Sequence, residues 1–265
     1  IPMLLKKKYN LLATSRKKII KKKNINFKVL DLNKRLNYQK LDSIFKNIDC
    51  LIHMGAILPG KNEVDIKKLK TVNYTNSKIL IDWASKRNIF FIFFSSLSIY
   101  YKKKNLYTKL KKKIEEYVLK KKMKYLILRP SSIYGHSQKD KSFLLNKINE
   151  IKKNNILTVY KPTNLKLNFI HAHDVCRALV FLLQSKKMGV YNIKSDRDTS
   201  INSIIKILEK VFFLKSKTIY LNKKTKKIFF NNKISNEKIK KLGWKSKITL
   251  YYGVKKSFVE KKLII

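Results

Sequence analysis

Tyr107 and Lys111 stand four residues apart in Tyr107-Thr-Lys-Leu-Lys111, and on a helix that spacing puts both side chains on one face. A tyrosine of ordinary acidity titrates near 10, and a lysine cation one turn away favours the phenolate and lowers that value. Such a pair can pass a proton to or from a sugar hydroxyl or a ketone while a hydride moves to or from a nicotinamide. In a chain this rich in tyrosine and lysine the spacing also arises by chance, so its surroundings matter. Just upstream an apolar run, Phe90–Phe94, leads into Ser95-Ser96-Leu97-Ser98-Ile99-Tyr100. That order places hydroxyls at the C-terminal edge of a strand, where open parallel sheets bind their ligands.

The elements that must position these groups follow from periodicity. Short apolar runs predict strands at Leu11–Ser15, Phe27–Leu30, Cys50–Met54, Phe90–Ser95 and Tyr125–Arg129, with a further one at Gly189–Ile193. Between them lie amphipathic, lysine-faced stretches that predict helices over Asn37–Lys46, Asp65–Lys86, Leu106–Lys121 and Asp174–Gln184, the last with Asp174 as N-cap. Alternating strands and helices read as βαβ units on a parallel sheet. From about Thr199 the pattern changes to a helix at Ile201–Phe212, a mixed segment and a terminal helix after Leu250, which predicts a second, smaller lobe.

Composition narrows the function classes. The formal charge is +47, which points first to a polyanion. Lysine is spread along the whole chain, however, beside abundant Asn, Ile, Phe and Tyr and scarce Gly and Pro, the pattern of an A+T-rich coding sequence. No element concentrates arginine and aromatics as nucleic-acid recognition requires, so specific nucleic-acid binding is not expected. The hydrophobic fraction is 44%, as in ordinary globular proteins, and no apolar run is long enough to span a bilayer. A cytoplasmic protein with no membrane partner is expected. Cys50 and Cys176 form no CxxC or Cys/His cluster, so reduced structural thiols and no metal site are expected.

The motif set resembles the extended short-chain dehydrogenase/reductases of the NAD(P)-dependent epimerase/dehydratase family. Ser95-Ser96 with Ile99-Tyr100, then Tyr107 and Lys111, then Glu115, is similar to that family's catalytic segment. The resemblance implies that Ser96 holds the reacting oxygen, Tyr107 is the acid/base and Lys111 binds the nicotinamide ribose. Asp31-Leu32 after a strand resembles the adenine-contacting position, and Asp49-Cys-Leu-Ile-His53-Met54-Gly55-Ala56 resembles D-x-V-I-H-x-A-A. Asn73 stands where the family has the asparagine of N-x-x-G-T, with Asn76 and Ser77 replacing Gly-Thr. Leu128-Arg-Pro130-Ser-Ser132-Ile-Tyr134-Gly135, Phe169-Ile-His171-Ala-His-Asp174, Gly189-Val-Tyr-Asn192 and Leu242-Gly243-Trp244 complete the series in order. His53 and His171 read as structural hydrogen bonders, and Gly243-Trp244 as a packed corner.

The implied fold is a Rossmann-like doubly wound parallel α/β sheet with a small C-terminal substrate lobe. The cofactor domain is expected at 1–132 plus 168–195, and the substrate lobe at 133–167 plus 196–265. The implied activity is epimerisation, dehydration, oxidation or reduction of a nucleotide sugar by a homodimeric enzyme. Cofactor contacts are expected from Arg16, Asp31, Leu32, Met54, Gly55, Ala56, Asn73, Tyr107, Lys111 and Pro130, and substrate contacts from Ser96, Ser98 and Ser132. The sequence departs from the family in lacking its first strand and G-x-x-G-x-x-G turn, so a fragment with weakened cofactor affinity is expected; a non-catalytic relic or regulatory subunit stays open, as does, on charge alone, a polyanion-binding basic protein. Arg16, where NAD-selective members carry an acid, predicts NADP over NAD. Leu167-Asn168 replaces the arginine that contacts the substrate diphosphate in many relatives, which weakens the case for a UDP-sugar 4-epimerase in particular.

Overall fold

A computed structural model describes residues 2–17, 25–58, 65–101, 104–136, 142–222 and 234–260. Two compact units are present, the first made of Ile1–Arg129 with Val180–Tyr191 and the second of Pro130–Leu179 with Asn192–Ile265.

In the first unit a short helix α1 (Pro2–Lys6) precedes β1 (Leu12–Ser15) and β2 (Asn26–Val29), which pair in parallel from Leu12↔Asn26 to Ser15↔Val29. Helix α2 (Tyr38–Ile44) starts at Asn37, whose side chain accepts from the Lys40 amide at 2.9 Å, the bond that an N-cap supplies. Strand β3 (Cys50–His53) is followed by α3 (Ile66–Lys70), a π turn over Thr71–Thr75 and α4 (Asn76–Lys86). The expected single helix over Asp65–Lys86 is therefore interrupted at its middle, where Asn73 sits; π turns of this kind concentrate at functional sites. Strand β4 (Phe90–Phe94), α5 (Leu106–Leu119) and β5 (Tyr125–Pro130) complete the run. Four residues of β4, Phe91–Phe94, are buried, as a central strand of a helix-covered parallel sheet requires.

Strands β3, β4 and β5 are parallel neighbours, with His53 opposite Phe93 and Phe94 opposite Leu128, so their C-terminal ends share one edge. A later strand over Gly189–Ile193 joins beside β5, giving a sheet separate from the β1–β2 pair. The core of this unit packs Leu30, Leu41, Leu51, Ile81, Trp83 and Phe91 with Ile114 and Ile127.

The second unit contains β6 (Ser132–Tyr134), α6 (Phe143–Asn154), β7 (Ile156–Tyr160), β8 (Lys166–Leu167), β9 (Phe169–His171) and α7 (Ala172–Gln184), the last helix running on into the first unit. After β10 (Gly189–Ile193) come β11 (Thr199–Ser200), α8 (Ile201–Phe212), β12 (Lys217–Leu221), α9 (Glu237–Lys240) and α10 (Leu250–Val254). Among the described residues its strands form three small pairs, β6–β9, β7–β12 and β8–β11, and its core includes Leu144, Ile148, Leu157, Ile204 and Leu208.

Asp174 is not the N-cap of α7. The helix begins two residues earlier at Ala172, and the Asp174 carboxylate, fully buried, accepts the Lys247 and Ile248 amides at 3.0 and 2.9 Å and pairs with Arg177. A buried carboxylate needs such partners, and here a distant segment supplies them. The corner at Gly243-Trp244 is packed as expected: Gly243 has φ +98°, which glycine alone adopts without strain, and Trp244 is buried.

Candidate active site

Strand β4 ends at Phe94, and Ser96 immediately caps a 3-10 turn over Leu97–Tyr100 by accepting the Ser98 amide at 3.1 Å. Helix α5 starts soon after, its first amides held by Asn105, which accepts from Thr108 at 2.9 Å. Turn and helix are joined by a hydroxyl contact of 3.1 Å between Ser98 and Thr108. Ser98 is thus engaged in holding the turn against α5.

Lys111 lies one turn into α5 with only 3% of its surface exposed. Its ammonium donates to the Phe94 carbonyl at 2.7 Å and sits 4.6 Å from the Phe93 ring centre and 5.7 Å from that of Tyr107. The expected face is therefore formed: Tyr107 and Lys111 meet at the end of β4, two residues before Ser96. Burial lowers the Lys111 pKa to about 8, opposed by the Glu115 carboxylate.

The expectation that Lys111 lowers the tyrosine pKa is not met. Burial raises Tyr107 to about 12, because losing water penalises the phenolate. The resting tyrosine keeps its proton.

Glu115, one turn further along α5, is 2% exposed. Both its oxygens take Arg129 Nε, at 3.1 and 3.0 Å, and one also takes Nη2. The guanidinium donates in addition to the Tyr100 hydroxyl. The motif reading named Glu115 and missed this network, although two opposite charges placed beside apolar runs were a signal that something must pair them.

Asn73, in the π turn, clasps the loop after β3. Its amide group donates to the Ile57 carbonyl at 2.8 Å and accepts from the Ile57 amide at 2.7 Å. The loop it holds contains Met54, Gly55 and Ala56, of which Met54 is 60% exposed. A side chain on Gly55 would come within 2.5 Å of the terminal methyl of Leu32, so the loops after β2 and β3 pack closely here. Nearby Asp31 is held below the usual carboxylate range, first by the Asn33 amide and in smaller part by the cation of Arg16, which is exposed. Pro130 is buried and Ser132 exposed; both belong to the second unit.

His53 and His171, two of the chain's four histidines, each meet a serine hydroxyl. His53 meets the Ser77 hydroxyl at 2.8 Å, and burial drives its pKa down to about 3, with the Lys111 cation adding to the effect. His171 meets Ser257 at 3.0 Å and is lowered to about 4 by burial. Cys50 and Cys176 are free thiols, and burial raises Cys50 to about 12. Among the described residues no cluster of His, Cys, Asp or Glu is suited to a metal ion, and no helix is long and apolar enough to cross a membrane.

A family model described as the NAD dependent epimerase/dehydratase family matches residues 1–193. A protein of Methanocaldococcus jannaschii named "Putative UDP-glucose 4-epimerase" is 25% identical, over 97% of this chain and 92% of its own length. Among solved structures, the UDP-glucose 4-epimerase of Thermus thermophilus in complex with NAD has a TM-score of 0.80 at 16% identity, covering 97% of this chain and 92% of its own. MoeE5 in complex with UDP-glucuronic acid and NAD has a TM-score of 0.79 at 20% identity, with coverages of 96% and 91%. The UDP-glucose 4-epimerase of Thermotoga maritima with UDP-glucose has a TM-score of 0.78 at 18% identity, with coverages of 98% and 94%. These neighbours share the Rossmann-like parallel α/β fold, and with the match over residues 1–193 they show that the chain belongs to the NAD-dependent epimerase/dehydratase family.

Proposed function

We propose that this chain is a cytoplasmic, homodimeric enzyme that acts on a nucleotide sugar with NAD or NADP, Tyr107 exchanging the proton, Ser96 holding the reacting oxygen and Lys111 positioning the nicotinamide ribose. The observation that carries this reading is Lys111: a buried ammonium at the end of β4, donating to the Phe94 carbonyl and sharing a helix face with Tyr107. An ammonium has three donors. One is spent on that carbonyl, and two remain to bind a pair of vicinal hydroxyls, which is the donor set a ribose needs. Gly55 packs against Leu32 of the loop after β2 and Asn73 fixes the loop after β3, which suits that edge to a nucleotide.

NAD, when bound, supplies the hydride acceptor and a ring charge that favours a neighbouring phenolate. The resting Tyr107, kept protonated by burial, is ready to donate. Ser96 has its oxygen occupied by the Ser98 amide and its hydroxyl hydrogen free to point at a substrate oxygen. The dividing of the chain into a cofactor domain and a substrate lobe is part of the same proposal.

UDP-sugars are the first candidates, since the structural neighbours include complexes with UDP-glucose and UDP-glucuronic acid. Titration with NADH and NADPH at moderate salt, followed by fluorescence, tests the reading. Saturable binding that Lys111→Ala abolishes supports the enzyme, and NMR of UDP-sugar incubations then identifies the product. Absence of binding removes it.

A further inference from the structure

The acid Glu115 has no part in the chemistry above, yet it is almost fully buried and takes a guanidinium on both oxygens. Burying an ion pair is costly, and an apolar pair of similar volume often serves stability as well. The place of this pair is informative. Arg129 ends the first unit's part of β5, Glu115 stands one turn after Lys111 on α5, and Tyr100, which receives the remaining arm of the guanidinium, closes the turn that Ser96 opens. One guanidinium therefore ties together the three segments that carry or flank Ser96, Tyr107 and Lys111.

We propose that Glu115, Arg129 and Tyr100 are positioning residues, Glu115 holding the charge of Lys111 and the Arg129–Tyr100 arm fixing the Ser96 turn. This rests on the reading of Lys111 and Ser96 given above. Among the described residues, these groups face Lys111. On α5 they are Tyr107, which is protonated, and Glu115; on β3 the neutral His53; on β4 the Phe94 carbonyl and the Phe93 ring. Among the described residues Glu115 is the anion whose field opposes the desolvation of Lys111, and Arg129 acts on Lys111 through it.

The test follows lysine Cε shifts in the full chain labelled with 13C-lysine. A lysine titrating near 8 stands apart from exposed lysines, and Lys111→Arg assigns it by removing the signal. Glu115→Gln is expected to lower that midpoint by about one unit, the usual effect of a nearby opposite charge, and Glu115→Asp to restore most of it. An unmoved midpoint with only a lower Tm would overturn the role of Glu115, whether or not the chain binds a dinucleotide. Should Glu115→Gln fail to fold, Glu115→Asp carries the same comparison, with a smaller shift expected and no shift counting against the proposal. Tyr100→Phe tests the other arm: kcat on the UDP-sugar turned over by the wild type falls several-fold, with KM for NAD and the Lys111 midpoint unchanged. Unchanged kcat would overturn that arm, and a wild type without NADH binding would instead overturn the reading on which it rests.

Discussion

Charge is handled in opposite ways at two parts of the first unit. At the end of β4 and β5, Lys111, Glu115 and Arg129 are drawn out of water and paired. At the end of β1 and β2, Arg16 is exposed and acts on Asp31 only as a minor influence behind the Asn33 amide. Desolvated charges act strongly at short range, whereas exposed ones are screened. The β4–β5 end thus holds its charges in fixed, desolvated positions, and the β1–β2 end leaves Arg16 in water.

The contrast is broken most directly at Tyr107. Tyr107→Phe should lower turnover by roughly 10²–10⁴-fold, the usual worth of a positioned proton donor, while NADH binding stays intact; steady-state kinetics beside a binding titration check both. Next in size is Asn73→Ala, which strips two hydrogen bonds from the Ile57 backbone and should cost about 1–3 kcal/mol in urea unfolding.

A smaller effect sharpens the comparison through pH. The folded pKa of Lys111 lies below its unfolded value, so between about 8 and the ordinary lysine value near 10.4 the unfolded chain binds more protons and stability rises with pH, by at most about 1.4 kcal/mol per unit. Below that window both states are protonated and the burial penalty is present in full. Unfolding at pH 7.5 and pH 9.5 should therefore favour Lys111→Met over the wild type more at the lower pH; equal differences at both would contradict the depressed pKa. The smallest effect belongs to the exposed end: Arg16→Ala should reduce the preference for NADPH over NADH by about tenfold, the worth of one charge-assisted hydrogen bond. Equal wild-type affinity for the two would remove the selectivity claim.

How much of this was legible in the sequence depended on range. Strands β3, β4 and β5 and the Tyr107–Lys111 face follow from apolar runs and a four-residue spacing, both local properties. The raised pKa of Tyr107 does not, because burial is set by how α5 packs on the β4 edge. Nor does the role of Asp174: an acid near a helix start reads as a cap, and only the folded chain brings Lys247 and Ile248 to it. Asn73 lay between these cases. Its motif position was visible, but its partner Ile57 lies across the β3 loop. Strands β6 and β9 escaped notice because three-residue segments show too little alternation to read.

That Asp174 contact also bears on synthesis. The carboxylate and its amide partners are separated by 73 and 74 residues, which a ribosome adds in roughly 4–15 s at about 5–20 residues per second. Through that interval α7 carries an acid that has Arg177 beside it but not yet those amides, so the nascent second unit must keep that side hydrated until the segment at Lys247 emerges to seal it.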